Sequence, residues 1–233
     1  MAGRFSKLCA AVLGLGLVLA TLSCGTGGSS AELRVLLASP SVSSVDVYID
    51  SKIVSTSLAY SANTGYLSVT SGTRHLQVML AGSTTAIVDE SVSIASAAEA
   101  TVIVEGVTPT ISGLTLTDNN TAPAADTVGL RLVNASPFMG TADVYVVEAG
   151  SSLVSGQPTV PELADGAVSS YQTLTIPSGS TTQTFSVFFT EPGTTHAVLA
   201  TGPITFSSGQ NRTIVALNNL SGGVTFTTLA DLN

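Results

Sequence analysis

Two carboxylates whose spacing suits acid–base chemistry lie on one predicted strand. Alternate residues of a strand face the same side, so Asp46, Tyr48 and Asp50 share one face. Paired carboxylates can transfer protons or bind a hard cation. A matching segment 97 residues later keeps Asp143 but has Val147 where Asp50 stands. Because the pair is not repeated, we do not expect it to be catalytic.

A structural role fits these aspartates better. Arg34 and Arg131 are separated by the same 97 residues as Asp46 and Asp143. An arginine and an aspartate that recur together can form an ion pair in each copy. We therefore predict that Asp46 pairs with Arg34, and that Asp143 pairs with Arg131.

The two histidines, His75 and His196, offer little support for catalysis. Nucleophilic catalysis requires a histidine beside an activated serine and an orienting carboxylate. The sequence has no Gly-x-Ser-x-Gly elbow, and the internal alignment places the two histidines on different strands. We expect surface histidines, with His75 facing solvent, and no catalytic residue.

A polar segment between the two matching halves contains several oxygen ligands. Asp118, Asn120 and Asp126 lie in it, and calcium prefers carboxylate and amide oxygens. These three residues are calcium candidates, although their spacing does not match cadherin-type linkers. The main expectation is a chain without metal or cofactor.

Cys24 is the residue with the clearest predicted chemistry. Arg4 and Lys7 precede an uncharged run that ends at Ser23. This order is typical of a secretory signal, and the run is too short for a typical membrane-spanning helix. The final Thr21-Leu22-Ser23-Cys24 resembles a lipobox with Thr in place of the usual Leu. The resemblance implies lipidation of Cys24 and cleavage before it; the alternative is ordinary secretion with a free Cys24.

The cysteine count agrees with an anchor at Cys24. The other cysteine, Cys9, lies in the signal and would be removed with it, so the exported chain would have no internal disulfide. Residues 25–30 are Gly, Thr and Ser, which makes a flexible tether. By resemblance to Gram-negative sorting signals, Gly25 favours the outer membrane. We predict an exported protein, lipid-anchored to the cell envelope.

Composition limits the classes of partner. Cleavage before Cys24 leaves 233 − 23 = 210 residues, which suits two domains of about 100 residues each. The remaining chain has five basic and 15 acidic residues, a net charge of 5 − 15 = −10. Binding to nucleic-acid phosphates needs clustered Lys and Arg, so we expect no nucleic-acid partner. Low charge with many β-branched residues is typical of a β-protein.

Internal repetition divides the chain. Leu33-Arg34-Val35, Ala38-Ser39-Pro40 and Asp46-Val47-Tyr48 each recur 97 residues later in the same or similar form. The spacing grows to 113 at Leu116 and Asp118, which correspond to Leu229 and Asp231. Repetition on this scale indicates duplicated domains. The growth in spacing predicts an insertion in the second copy, within 148–170.

Each copy is predicted to consist of short strands between turns. The first copy has strands near 33–38, 45–50, 66–70, 75–80, 86–94, 100–105 and 114–117. About seven such strands favour an all-β fold of two tandem immunoglobulin-like antiparallel β-sandwich repeats; a small barrel or another sandwich topology stays open. The predicted division is a lipoprotein signal peptide (1–23), a Gly/Ser-rich tether (24–31), a first repeat (32–117), a connector (118–127) and a second repeat (128–233).

The same motifs resemble a known family. An Arg-Val strand, Ala-Ser-Pro, Val-Asp-Val-Tyr, a Ser-Gly turn and an Asp-Asn-Asn…Ala-Pro connector follow in this order. They are similar to the bacterial domain-of-unknown-function family 4397, commonly found as tandem copies in exported proteins. The resemblance covers most of 31–233, and the second copy departs from it at the insertion. It implies a β-sandwich in the envelope and brings no catalytic residues, because the family's activity is not established.

We therefore expect a non-enzymatic cell-envelope lipoprotein of unknown biochemical activity, serving as a binding or structural module. The main alternative is a carbohydrate- or peptide-binding surface protein that uses 148–170 as its contact loop; a hydrolase is the least favoured. The expected partners are the membrane, through a lipid on Cys24, and a protein or glycan of unknown identity.

Overall fold

The structure is a computed structural model that describes residues 28–233. Cys9, Cys24 and the predicted signal peptide lie outside these residues. The described part is all-β and contains no helix long and apolar enough to span a membrane. Its strands are β1 (Ser30–Leu37), β2 (Ser44–Ile49), β3 (Lys52–Ala59), β4 (Leu67–Thr70), β5 (Gly72–Leu80), β6 (Ala86–Ile94), β7 (Glu99–Glu105), β8 (Ser112–Asp118), β9 (Thr127–Asn134), β10 (Ala142–Glu148), β11 (Val160–Leu163), β12 (Gln172–Thr175), β13 (Thr182–Thr190), β14 (Ala197–Ser207), β15 (Asn211–Asn218) and β16 (Val224–Leu232).

The strands form four sheets that pair into two sandwiches. The first sandwich has an inner sheet with strand order β4-β1-β7-β8 and an outer sheet with order β3-β2-β5-β6. The second repeats both orders, as the inner sheet β12-β9-β15-β16 and the outer sheet β11-β10-β13-β14. The two sandwiches therefore share one topology. Each inner sheet is mixed, because β1 pairs in parallel with β7, and β9 with β15.

All seven strands predicted for the first copy are present, and the structure adds β3. This strand lacks a period-two burial pattern, because its pairing with β2 shifts register twice and Ser57 has a φ of 52°. A two-residue turn, Asp50-Ser51, joins β2 to β3, whereas 149–159 join the equivalent β10 and β11. The extra length of the second copy therefore lies where the growth in spacing predicts it.

Alternation along β1 separates two apolar environments. Leu33, Val35 and Leu37 are buried in the core of the first sandwich, so the residues between them face away from it. Those residues face the second sandwich. A separate buried cluster joins the two inner sheets and consists of Leu36, Ala38, Ile103, Leu116, Val133, Ala135, Val215, Leu217 and Leu229. The inner sheets thus pack face to face, with an outer sheet on either side.

The corresponding strands β1 and β9 of the two inner sheets run in the same direction. The ends of β1 and β9 meet in the shared cluster, through Ala38 and Ala135 just beyond them. We call the end of the molecule at which β1 and β9 finish the loop end. It is formed by the loops 38–43, 60–66, 81–85, 106–111, 135–141, 164–171, 191–196 and 219–223. The chain enters β1 at the opposite end.

Candidate functional site

A cluster of four buried, charged side chains lies between the two inner sheets. Arg34 and Arg131 are each 3% exposed. Arg34 Nη2 donates to Asp231 Oδ1 at 2.6 Å and lies 3.5 Å from Asp118 Oδ2. Arg131 Nη2 donates to Asp118 Oδ1 and lies 3.6 Å from Asp231 Oδ2. Each arginine therefore bonds the aspartate of the other sandwich, and we call these four residues the reciprocal cluster.

Threonines hold the reciprocal cluster in place from within each sandwich. Arg34 Nε donates to Thr101 Oγ1 at 3.0 Å, and Thr101 Oγ1 donates to Asp118 Oδ2 at 2.5 Å. Thr213 makes the same pair of bonds in the second sandwich, with Arg131 and Asp231. The guanidinium and the carboxylate of one sandwich are thus fixed side by side, so both reach across to the other sandwich together.

Two tyrosines cover the cluster. The guanidinium of Arg34 lies 4.4 Å from the ring centroid of Tyr66, and that of Arg131 lies 4.8 Å from the ring of Tyr171, within the range of cation–π attraction. The hydroxyl of Tyr66 donates to Asp118 at 2.7 Å, and that of Tyr171 to Asp231 at 2.8 Å. Burial, and then the charge of these aspartates, raise the pKa of both phenols. The phenols therefore stay protonated as hydrogen-bond donors.

The pairing predicted for Asp46 and Asp143 is wrong. Asp46 accepts from the backbone N–H groups of Ser57 and Gly82 at 2.8 and 3.1 Å. Asp143 accepts from those of Glu162 and Gly193 at 2.8 and 2.7 Å. Arg34 instead bonds Asp231, near the end of β16, and Arg131 bonds Asp118, at the end of β8.

Both recurring aspartates have the same local role. Ser57 and Glu162 have φ values of 52° and 50°, and they lie on β3 and β11, where the pairing with the neighbouring strand is irregular. A carboxylate that accepts backbone N–H groups stabilises such a bulge. The N–H bonds from Ser57 and Gly82 also lower the pKa of Asp46. Asp46 and Asp143 therefore have a structural role in both copies. Each one binds backbone N–H groups at a bulge and does not pair with an arginine.

The recurring Ala-Ser-Pro motif ends β1 and β9. Ser39 Oγ donates to the carbonyl of Gly106 at 2.8 Å, and Ser136 Oγ bonds the side chain of Asn218 at 2.6 Å. Both serines are fully buried. The hydroxyls thus tie the end of one strand to the end of its parallel neighbour.

The histidines and calcium candidates are not brought together. His75 Nε2 lies 2.6 Å from Asp89 Oδ1, and both side chains are exposed, as predicted for His75. His196 lies in a loop beside Glu191. Asp118 belongs to the reciprocal cluster, while Asn120 donates to the carbonyl of Ala97 at 3.3 Å and Asp126 precedes β9. Within 28–233, no group of three or more His, Cys, Asp or Glu residues could hold a metal ion.

The loop end carries the most exposed aromatic side chain of the described residues. Phe138 is 71% exposed and Leu220 is 59% exposed; both lie in loops of the second sandwich. The hydroxyl of Tyr60, in a loop of the first sandwich, donates to the carbonyl of Asn218, the last residue of β15, so a loop of the first sandwich contacts a strand end of the second. The insertion 149–159 starts at the opposite end, after β10, and is not part of this surface.

A carboxyl group lies at the junction of the sandwiches near the loop end. Glu105 ends β7, and its Oε1 is 3.1 Å from the position that a Cβ on Gly166 would take. Burial, and then the charge of Asp165, raise the pKa of Glu105 to about 7. Its Oε2 is buried and accepts no hydrogen bond from the described residues.

Two solved structures illustrate what the chain is similar to. One is the carbohydrate-binding module CBMbc (family CBM26) of Eubacterium rectale Amy13K in complex with maltoheptaose, at 15% identity and a TM-score of 0.26, over 85% of this chain and 96% of that chain. The other is a putative adhesin from Bacteroides ovatus, at 10% identity and a TM-score of 0.24, over 85% of this chain and 92% of that chain. Both TM-scores are far below 0.5, so neither likeness carries a functional argument.

No curated protein sequence matches the chain. A family model does match it, over residues 31–145, which span the whole first sandwich, the connector and the start of the second sandwich. Residues 31–145 are therefore similar to the family described as Domain of unknown function (DUF4397).

Proposed function

We propose that this chain is a non-catalytic binding module of the cell envelope, held to the membrane by a lipid on Cys24, whose two sandwiches act as one rigid body. Its second sandwich is a divergent copy of the same domain family. The partner is a protein or glycan that contacts the loop end.

The reciprocal cluster is the observation that carries this proposal. Removing one partner of a buried ion pair costs about 3–5 kcal/mol, because the other charge is left uncompensated. The two arginines and two aspartates therefore oppose separation of the sandwiches. Because they hold the two sandwiches in one relative position, they also set the relative position of the loops at the loop end. A partner therefore meets a preformed surface.

The direction of the chain favours membrane attachment at the end of the molecule opposite the loop end. Residues before Ser30 enter β1 away from the loop end. A tether that continues to Cys24 would leave Phe138 and Leu220 at the far end from the membrane. Exposed apolar side chains that adjoin one another in a patch mark contact surfaces, and we propose such a patch at this free end.

The use of the polar side chains supports a non-catalytic role. Asp118 and Asp231 bond arginine, threonine and tyrosine, and Asp46 and Asp143 bond backbone N–H groups. These carboxylates are occupied in structural contacts, whereas an active site needs groups free to contact a substrate.

The anchor is tested by mass spectrometry of the N-terminal peptide after expression in a Gram-negative host. We expect an acylated Cys24 at the N-terminus and recovery in the outer-membrane fraction. Cys24→Ser is the matched variant, and it should remain uncleaved or appear without lipid. An unmodified Cys24 in a soluble protein would contradict the anchor.

The contact surface is tested on glycan and peptide arrays with the purified protein. We expect binding that is lost in the double variant Phe138→Ser/Leu220→Ser and kept in Val154→Ser, which changes a residue of the insertion that is 65% exposed. Binding that survives the double variant but is lost on deletion of 149–159 would move the contact to the insertion. Turnover of any array member would contradict the non-catalytic role.

A further inference from the structure

A cleft of about 330 Å³ opens between the edge strands β3 and β4 of the first sandwich. It lies at the end at which the chain enters, because β2 and β4 both begin at the loop end and run away from it. Its apolar walls include Ile49, Val54, Leu67 and Val69, which belong to the core of the first sandwich or pack against it. This volume is in the range of about 300–1,000 Å³ that small-molecule sites occupy, and such sites combine apolar walls with a few polar groups.

Two basic side chains lie on the same face of the outer sheet as these apolar residues. Lys52 is directly opposite Ile49 in the pairing of β3 with β2. Arg74 is directly opposite Val92 in the pairing of β5 with β6. Residues directly opposite each other in an antiparallel pair have their side chains on one face. Ile49 and Val92 are buried in the core, so both basic residues lie on the core face, and both line the cleft.

The cleft has an excess of positive charge. Arg74 Nη1 donates to Asp50 Oδ2 at 2.9 Å, and Asp50 Oδ1 accepts from the backbone N–H of His75 at 3.0 Å. Lys52 forms no salt bridge with any residue of 28–233. The residues that line the cleft thus carry two positive charges and one negative charge, a balance of +1, in a chain whose net charge is −8.

The guanidinium of Arg74 has a donor that its contact with Asp50 does not use. Arg74 Nε is buried and donates no hydrogen bond to the described residues, although 24% of the side chain is exposed. A buried donor without an acceptor costs free energy. An oxygen acceptor that enters the cleft is therefore favoured, and a carboxylate matches the geometry of a guanidinium.

The second sandwich has an apolar side chain at the position of Arg74. The strands β5 and β13 align through the residues opposite Val47 and Val144, and on this register Phe185 stands where the first sandwich has Arg74. Phe185 is 6% exposed and packs in the core of the second sandwich, with its ring centroid 6.2 Å from that of Phe206. The fold therefore does not require a charge at this position, and the charge in the first sandwich points to a ligand.

We infer that this cleft binds a small organic anion, a carboxylate on a short apolar chain. The carboxylate lies between Lys52 and Arg74. Its chain lies against Val54, Leu67 and Val69, at the open edge of the core. The single excess positive charge matches one carboxylate, and the apolar walls favour a molecule with a chain over a small hydrated ion. This site lies at the opposite end from the loop end and does not depend on the function proposed for that surface.

The test uses hexanoate as the probe, titrated into the purified full-length protein and followed by NMR chemical shifts. We expect saturable shifts of the residues that line the cleft, and binding at least about tenfold weaker for hexanol, which has the apolar chain without the charge. Arg74→Gln should weaken the binding of hexanoate by about tenfold or more, as loss of a charge-assisted hydrogen bond does. Lys52→Gln should weaken it by about threefold or more, because this charge is more exposed. Arg212→Gln removes one positive charge from β15 of the second sandwich and should leave binding unchanged.

Replacing the guanidinium by an aromatic ring is the second arm. Arg74→Phe introduces the residue of the second sandwich and should abolish binding of hexanoate; Lys52→Gln, at an exposed position, serves if Arg74→Phe does not fold. The inference is overturned if the natural protein shows no saturable shifts, or if hexanol binds as tightly as hexanoate. It is also overturned if Lys52→Gln and Arg212→Gln weaken binding equally, because the attraction would then be a general effect of net charge.

Discussion

Arg34 donates through Nη2 to Oδ1 of Asp231 over 2.6 Å, although the two residues lie 197 positions apart and in different sandwiches. Arg131 and Asp118 make the equivalent bond in the other direction. Each sandwich therefore supplies the counter-charge for a residue that the other one buries.

Arg34→Leu should destabilise the protein by about 3–5 kcal/mol, because the carboxylate of Asp231 loses its guanidinium while it stays buried. Urea unfolding monitored by circular dichroism measures the change. Arg74→Leu is the control: Arg74 bonds Asp50 at 2.9 Å in a partly exposed pair, and such pairs contribute about 0–1 kcal/mol. Equal losses in the two variants would show that the reciprocal cluster adds no special stability.

A double-mutant cycle should assign the partner of Arg34. Arg34→Met and Asp231→Leu are expected to be non-additive by more than about 1 kcal/mol, since the two residues are in contact. The parallel cycle of Arg34→Met with Asp46→Asn should be additive within about 0.5 kcal/mol. Strong coupling in the second cycle would instead support the pairing of Arg34 with Asp46 that the sequence alone predicts.

Asp143→Ala should lower the melting temperature, because two backbone N–H groups lose their acceptor. The expected loss is about 1–3 kcal/mol, the usual cost of leaving buried donors unpaired. Asp46→Ala should act in the same direction in the first sandwich. Glu148→Ala, at an exposed position, is the control. An unchanged melting temperature in both aspartate variants would rule out a role in holding the bulges.

Glu105 should make stability depend on pH. Its pKa in the folded protein is raised to about 7 by burial and then by Asp165, so the folded state retains the proton to higher pH than the unfolded chain does. Stability should fall as pH rises from about 4.5, the ordinary value, towards 7, and the loss should be complete above it.

Glu105→Gln tests this dependence. The variant should match the natural protein near pH 4, where Glu105 is protonated in both states, and should melt at a higher temperature above pH 7. Thermal unfolding from pH 4 to pH 8 measures the difference, with Glu148→Gln as the control. A constant offset between Glu105→Gln and the natural protein at every pH would exclude titration of Glu105 as the cause.

Local patterns were sufficient to predict most strands and the duplication. Apolar alternation and turn residues indicate the seven strands of the first copy, and a fixed spacing reveals the second. The sequence pattern does not predict β3, because the positive φ of Ser57 and the irregular pairing with β2 break the period of two on which strand prediction depends.

The partners of the arginines could not be predicted from spacing within one copy. Recurrence of Arg34 with Asp46 shows that both positions matter in each sandwich, but it does not show that they touch. The useful signal was Asp118, which recurs as Asp231. Assigning it to Arg131 requires knowing that the inner sheets face each other, and this depends on contacts between residues far apart in the chain.

The face of the first sandwich that carries Arg34 and Asp118 is self-complementary. It contains both halves of the contact that it makes, and the second sandwich repeats them as Arg131 and Asp231. A chain with one such sandwich would satisfy both charges by meeting an identical chain about a two-fold axis. Duplication of its gene would convert that homodimer into a single polypeptide. The two halves could then diverge, as they do where 149–159 in the second sandwich stand in place of the two-residue turn Asp50-Ser51 of the first.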